Sequence, residues 1–338
     1  MNKEDVIKQL LAKAPPKKIP VSVITGFLGS GKTTLLNFIL TKNHGKRIAV
    51  IENEFGEVGV DDRLVKSKFK EDEEIFEMNN GCICCTVRGD LIRILKNLHK
   101  RKDKFDYVLI ETTGLADPAP VAQTFFVDDD VSAAYELDGI VTVIDAKHIL
   151  QHLDEVKPEG VENESVEQVA FADRILLNKI DLVTEVELEE ITKKIQVINR
   201  SAPIVRTQNS QIDLDRILNI KAFDLKRITT ELDPQFLEDQ EHQHDLSVTS
   251  VGIRFEGAIS MIMLQEFISE LMQTKGVDLF RYKGILDIKG SNKKYVYQGV
   301  HMLWGGTLTE EWAEGEKREN IGVFIGRNLN RETITAGF

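Results

Sequence analysis

Between residues 19 and 222, apolar positions fall into short runs, each followed by a stretch with helical spacing. Val21–Thr25, Arg47–Ile51 (RIAVI), Phe105–Glu111 (FDYVLIE), Gly139–Asp145 (GIVTVID) and Arg174–Asn178 (RILLN) are nearly continuous apolar runs of strand length. Thr33–Leu40 and Val186–Ile198 repeat apolar residues at helical spacing, and Leu91, Leu95 and Leu98, with Ile92 and Ile94 nearby, form another such face. A strand that is apolar along its whole length is buried on both sides. Alternation of such strands with helices therefore predicts an α/β domain with a mainly parallel sheet covered on both faces.

The pattern changes after residue 222. Residues 223–246 are polar and read as a linker, with Pro234, Glu238, Asp239 and Glu241 among them. Ser247–Phe255 then alternates like a half-buried strand, and Met261, Leu264, Ile268, Leu271 and Met272 share one helical face. Arg281–Ile288 and Lys294–Val300 flank Gly290-Ser291-Asn292, a hairpin signal, and Asn320–Gly326 is a last strand. Residues 247–338 are thus expected to form a smaller α+β domain. At the other end, Pro15 and Pro16 followed by two lysines would break any short helix, so residues 1–18 are expected to be a flexible tail. The expected order is tail (1–18), α/β domain (19–222), linker (223–246) and α+β domain (247–338).

Composition narrows the function. The chain has 338 residues, 42% hydrophobic and 29% charged, as in ordinary globular proteins. Its 43 basic and 55 acidic residues give a net charge of −12, which argues against nucleic acid and against an anionic membrane surface as partners. No stretch approaches the length of a membrane helix, and the first residues lack a signal-peptide core, so a cytosolic or nuclear location is expected. The three cysteines, Cys82, Cys84 and Cys85, lie within four residues, a spacing that suits metal binding and not a disulfide framework.

Gly26-Phe27-Leu28-Gly29-Ser30-Gly31-Lys32-Thr33 matches G-x4-G-K-[ST] between a predicted strand and a predicted helix. Backbone N–H groups of Gly26 through Thr34 and the helix N-terminus are expected to cradle phosphates. Lys32 would reach the β- and γ-phosphates, and the Thr33 hydroxyl would bind Mg²⁺. Asn178-Lys179-Ile180-Asp181 closes the RILLN strand and suits guanine, because the Asp181 carboxylate can accept hydrogen bonds from N1–H and the 2-amino group. Glu111-Thr112-Thr113-Gly114 closes the FDYVLIE strand. Glu111 there can order Mg²⁺ or the attacking water, and the Gly114 N–H can sense the γ-phosphate.

Cys82-Ile83-Cys84-Cys85 precedes a predicted helix, whose N-terminus lowers thiol pKa and favours the metal-binding thiolate. Three thiolates leave a four-coordinate Zn²⁺ open, which suits transfer better than permanent structure. Glu52, Glu54 and Glu57 in ENEFGE are candidates to complete the shell, and His242 with His244 is a second, weaker donor pair. His301 is expected to serve its own domain.

In order, GFLGSGKTTLLN, IENEFGE, NGCICC, ETTGLADP and NKID resemble the CobW-type family of metal-handling GTPases, most closely its eukaryotic branch, the zinc-regulated GTPase metalloprotein activators. The likeness runs from about Lys18 to the end and includes a second domain similar to the CobW C-terminal domain. It implies a P-loop GTPase and zinc chaperone using GTP, Mg²⁺ and Zn²⁺. Zinc would be held by Cys82, Cys84 and Cys85, with Cys85, Thr86, Val87, Arg88 and Gly89 bordering the nucleotide. The implied partner is a client metalloprotein. Members that serve methionine aminopeptidase carry an N-terminal Cys-Pro-Glu-Leu docking motif, which the tail LLAKAPPKKIP lacks. Two alternatives stay open at this point: a passive zinc buffer or sensor with structural nucleotide, and an activator for cobalt or nickel.

Overall fold

The computed structural model describes residues 18–42, 45–52, 75–77, 85–158, 161–222 and 248–338, with backbone alone for 75–77 and 85–87. The expected tail and linker lie outside these residues, save for Lys18.

The first sheet has seven parallel strands. In chain order they are β1 (Ile19–Thr25), β2 (Ile48–Glu52), β3 (Ile75–Glu77), β4 (Tyr107–Glu111), β5 (Tyr135–Asp145), β6 (Arg174–Asn178) and β7 (Ile204–Arg206). Across the sheet they run β3-β2-β4-β1-β5-β6-β7. Alternate residues feed opposite cores. Ala49, Ile51, Val108 and Ile110 face α2 (Cys85–His99), α3 (Ala119–Val127) and α7 (Glu185–Ile198), through Leu91, Leu95, Ala122 and Ile191. Ile48, Val50 and Leu109 face α1 (Lys32–Thr41), through Leu35, Leu36 and Ile39. Burial on both faces is why these strands are apolar throughout. Three further short helices follow on this side of the chain: α4 (Asp129–Ala134), α5 (Ile149–Leu153) and α6 (Glu164–Ala170).

All seven strands end at one edge. Register there pairs Ile24 and Glu52 with Glu111, Glu77 with Glu52, and Asp145 with Asn178. In open parallel sheets ligands bind in the crevice at this carboxyl edge.

The second sheet is antiparallel, in the order β11-β10-β9-β12-β8. Its strands are β8 (Val248–Glu256), β9 (Leu279–Asp287), β10 (Lys293–Val300), β11 (Leu303–Glu311) and β12 (Glu319–Arg327), with α8 (Met261–Lys275) and α9 (Arg331–Gly337). The β9–β10 hairpin turns at Gly290, whose φ of 85° suits a residue without a Cβ. Leu264, Ile268 and Ile334 pack the helices on one face, and the other face joins the first domain.

That junction is specific. Arg281 Nη2 lies 2.6 Å and Lys283 Nζ 3.4 Å from the buried Asp173 carboxylate, which also accepts from the Ile140 N–H at 2.9 Å. Burial alone would raise the Asp173 pKa, but the two cations outweigh it and hold it low. Arg281 also donates to the Phe171 carbonyl, and the Phe171 and Phe280 rings stack at 6.1 Å. The His301 ring packs at 5.5 Å from Phe171 and 5.6 Å from Phe280. His301 therefore serves the junction as well as its own domain. Among the described residues, no helix is long and apolar enough to cross a membrane.

Candidate functional site: a phosphate loop at the sheet edge

The glycine-rich segment links β1 to α1, as its spacing predicts. Gly26 has φ 138°, and a Cβ there would stand 2.1 Å from the Val143 carbonyl oxygen. Gly31, at φ 111°, caps α1, and its missing Cβ makes room for the Asn178 amide. The α1 cap carries no side-chain hydrogen bond, so first-turn N–H groups are available to an anion. The Ser30 hydroxyl is buried without a hydrogen-bond partner inside this loop. A buried orphan hydroxyl is costly unless a ligand meets it.

Lys32 is only 7% exposed, and its ammonium donates to the carbonyls of Gly26 at 2.7 Å and Phe27 at 3.2 Å. Burial pulls its pKa below the usual range, against the opposing pull of Glu111. Thr33 Oγ1 donates to Glu111 Oε1 at 3.1 Å. A hydroxyl and a carboxylate converging beside a phosphate loop are the hard oxygen donors Mg²⁺ takes, so the residues present fit that ion. Gly114 abuts the loop: a Cβ on it would lie 2.6 Å from the Leu28 nitrogen. Leu28 itself is 77% exposed at the mouth, and Thr34 follows Thr33 in the first turn of α1.

Asn178 is 2% exposed and acts as a clasp. Its Nδ2 donates to the Ser30 carbonyl at 3.0 Å and to Ser210 Oγ at 3.1 Å, while its Oδ1 accepts from the Ser210 N–H at 2.9 Å and Thr207 Oγ1 at 3.2 Å. Lys179 adopts φ 61° and donates to Asp145 Oδ2 at 2.7 Å. Ile180 and Asp181 enter a 3₁₀ turn, with Asp181 exposed at the sheet edge. Sequence reasoning missed Asp145, although it ends the GIVTVID strand beside Asn178. It also missed Thr207 and Ser210, which no local pattern marks.

Of the candidate metal ligands, Cys82, Cys84, Glu54, Glu57, His242 and His244 lie outside the described residues. Cys85 opens α2, with Thr86 and Val87 in its first turn; Arg88 donates to Gln123 on α3, and Gly89 is exposed. Glu52 ends β2 one strand from Glu111. Among the described residues, no group of three or more His, Cys, Asp or Glu side chains is placed to hold a metal ion.

A carboxyl cluster lies between the ETTGLADP loop and the second sheet. Glu167 on α6 shares a hydrogen bond with Glu162, and Glu162 accepts from Arg327 at 3.2 Å. Burial, the Glu162 hydrogen bond and the negative fields of Asp117, Glu162 and Glu164 hold the Glu167 proton well above the usual range. Burial also pushes Asp117 up to about 6. A carboxyl whose folded pKa is raised contributes stability that is complete below its unfolded pKa and is lost as pH rises through the folded value. Glu167→Gln, which mimics the protonated form, is therefore expected to raise the melting temperature at pH 9. The gain should be at least about 1 kcal/mol, the worth of roughly one pKa unit, and should vanish near pH 4.5. Melting curves across that pH range are the check; equal curves at pH 9 would contradict it.

The strand–loop–helix phosphate cradle, the Thr33–Glu111 pair and the clasped Asn178 together define a P-loop nucleotide-binding protein. Residues 20–206 match the family described as "CobW/HypB/UreG, nucleotide-binding domain", and residues 248–338 match the "Cobalamin synthesis protein cobW C-terminal domain". The chain belongs to the CobW/HypB/UreG family, as its ordered motifs lead one to expect. It is 36% identical over 324 residues to the zinc chaperone YjiA of Escherichia coli (strain K12), covering 95% of this chain and 98% of that one. It is 33% identical to the zinc-regulated GTPase metalloprotein activator 1 of Schizosaccharomyces pombe, covering 93% and 83%. The crystal structure of zinc-bound YjiA GTPase from E. coli is similar at a TM-score of 0.72, with 32% identity over 95% of this chain and 98% of that one.

Proposed function

We propose that this chain is a cytosolic zinc-handling GTPase that binds and hydrolyses GTP and uses the cycle to hand Zn²⁺ to a client metalloprotein. The observation that carries the proposal is the shared sheet edge. Glu111, hydrogen-bonded to Thr33 of the phosphate loop, stands in register with Glu52 of the ENEFGE segment. Adjacent strands are only about 4.8 Å apart, so a change at the nucleotide reaches the metal-candidate segment within one strand spacing. The zinc-chaperone names of the relatives favour Zn²⁺ as the cargo.

In this scheme the loop N–H groups and Lys32 neutralise phosphate charge. Thr33 and Glu111 would hold Mg²⁺, which would supply positive charge at the phosphates. Gly114 meets the γ-phosphate through its N–H, and ordering the attacking water is the alternative role for Glu111. Asp181 reads guanine, and Lys179, fixed by Asp145, lies beside it. Cys82, Cys84 and Cys85 hold the zinc, with Glu52 or Glu57 as a further donor. The client is a metalloprotein that needs zinc.

Base choice tests the nucleotide half. Asp181→Asn should weaken GTP binding by about 1.5–3 kcal/mol, the worth of a charge-assisted hydrogen bond, or roughly 10–150-fold. It should gain xanthosine triphosphate, whose base offers the matching acceptor. Competition titrations with GTP, xanthosine triphosphate and ATP read the outcome. A wild type that binds ATP as well as GTP would refute guanine selection.

A further inference from the structure

One buried amide has a place in neither the phosphate loop nor the base site. Gln168, on α6, is 1% exposed. Its Nε2 donates to the Gly114 carbonyl at 3.1 Å and to the Ala116 carbonyl at 3.2 Å. Its backbone carbonyl accepts from Thr142 Oγ1 on β5 at 2.7 Å, so the residue's main chain is tied to the sheet and its side-chain amide to the ETTGLADP loop. α6 is itself anchored: Asn163 caps it through the N–H groups of Ser165 and Val166 and donates to the His152 carbonyl.

The grip falls where it has leverage. The Gly114 backbone touches the phosphate loop at Leu28, with room for no side chain between them. The Ala116 N–H turns back to the Thr113 carbonyl at 3.1 Å. The loop is therefore pinned from two sides, by Leu28 backbone on one and by both N–H bonds of a single amide on the other. Loop backbone with its own carbonyl acceptors seldom keeps one position unless such partners hold it.

We propose that Gln168 is a positioning residue that sets Gly114 against the phosphate loop and thereby fixes how strongly the chain distinguishes GTP from GDP. The inference rests on the assignment of Gly114 as the γ-phosphate sensor. GDP has no γ-phosphate, so its binding depends mainly on the phosphate loop and Asp181, and Gly114 reaches it only through its packing on Leu28. A loosened Gly114 should therefore weaken one nucleotide and spare the other.

The test compares wild type, Gln168→Met and Gln168→Glu. Methionine keeps the volume and loses both donors; glutamate keeps the shape and, when ionised, faces two carbonyl oxygens. Affinities for GTPγS and for GDP are measured with Mg²⁺, alongside the single-turnover rate of GTP hydrolysis. The proposal predicts that GTPγS affinity falls about tenfold while GDP affinity changes less than twofold, consistent with losing two neutral hydrogen bonds of ordinary net worth. The single-turnover rate should fall as well. Val169→Ala, a core change on the same helix, should lower the melting temperature and leave the GTPγS-to-GDP ratio intact. Equal losses for both nucleotides, no loss in either variant, or the same ratio shift in Val169→Ala would each overturn the role of Gln168. A wild type that binds GTPγS and GDP alike and does not hydrolyse GTP would overturn the Gly114 assignment itself, and Gln168 with it.

Discussion

Lys32→Ala is expected to abolish measurable GTP hydrolysis and to weaken GTP binding strongly. The ammonium is buried at the loop, its pKa lowered by that burial, and its position is set by the Gly26 and Phe27 carbonyls. A fixed charge in a dry site counts for far more than one in water, because it needs no reorganisation as negative charge develops on the phosphates. Removing a single preorganised donor of this kind costs about 10²–10³-fold in rate. The hydrolytic loss should be at least of that order, since a full charge goes. Phosphate release under multiple turnover is the measurement, with the melting temperature as a control for folding. Unchanged turnover in Lys32→Ala would contradict the assignment of the phosphate loop.

Much of the architecture can be read along the chain because burial on both faces imposes one local rule. The RILLN run is a strand with the bounds its apolar residues mark, Arg174–Asn178, and the two predicted helices beside it differ from α1 and α7 by one residue at each altered end. The rule fails where long-range partners decide. β5 begins at Tyr135, four residues before its apolar run, because the buried Asp138 that interrupts the pattern is satisfied from afar. Its carboxylate accepts from Ser22 and Tyr107 and from the Ile220 and Lys221 N–H groups. β11 is missed because it is an edge strand with several exposed polar residues, paired on one side only. β3 has three residues, too few for any period to show.

The site shows the same division. The phosphate loop is legible because its glycines are dictated by backbone contacts within a short segment. Lys32 and Thr33 stand where the spacing puts them, and Glu111 reaches Thr33 as its strand-end position suggests. Asn178 reads as part of the base-recognition motif, yet its amide is spent holding Ser30 to the 207–210 segment, distant in sequence and joined only by folding. Gln168 carries no motif for the same reason: its partners are backbone carbonyls more than fifty positions away.

The second large effect concerns zinc. Cys85 begins α2 immediately after the other two cysteines, and the Thr86–Gly89 turn that follows is the segment expected beside the nucleotide. On the other side of the edge, Glu52 stands in register with Glu111, which contacts Thr33. Under the proposed function, these two elements link the metal candidates to the phosphate site, and a ligand at one end is expected to bias the arrangement at the other. Such coupling is reciprocal: if GTP tightens zinc, zinc tightens GTP by the same factor, typically about 5–150-fold. Cys84→Ala should lower zinc affinity and erase the effect of GTP on it, while zinc-free GTP affinity stays nearly intact because no phosphate or base contact is lost.

The most direct test is a zinc titration of the reduced wild-type protein, using a competing chelator, with GTP-Mg²⁺, with GDP-Mg²⁺ and without nucleotide. A GTP-driven zinc carrier binds zinc at least about fivefold more tightly with GTP than with GDP. Equal zinc affinity in the two nucleotide states would contradict that claim and leave a passive zinc-binding protein.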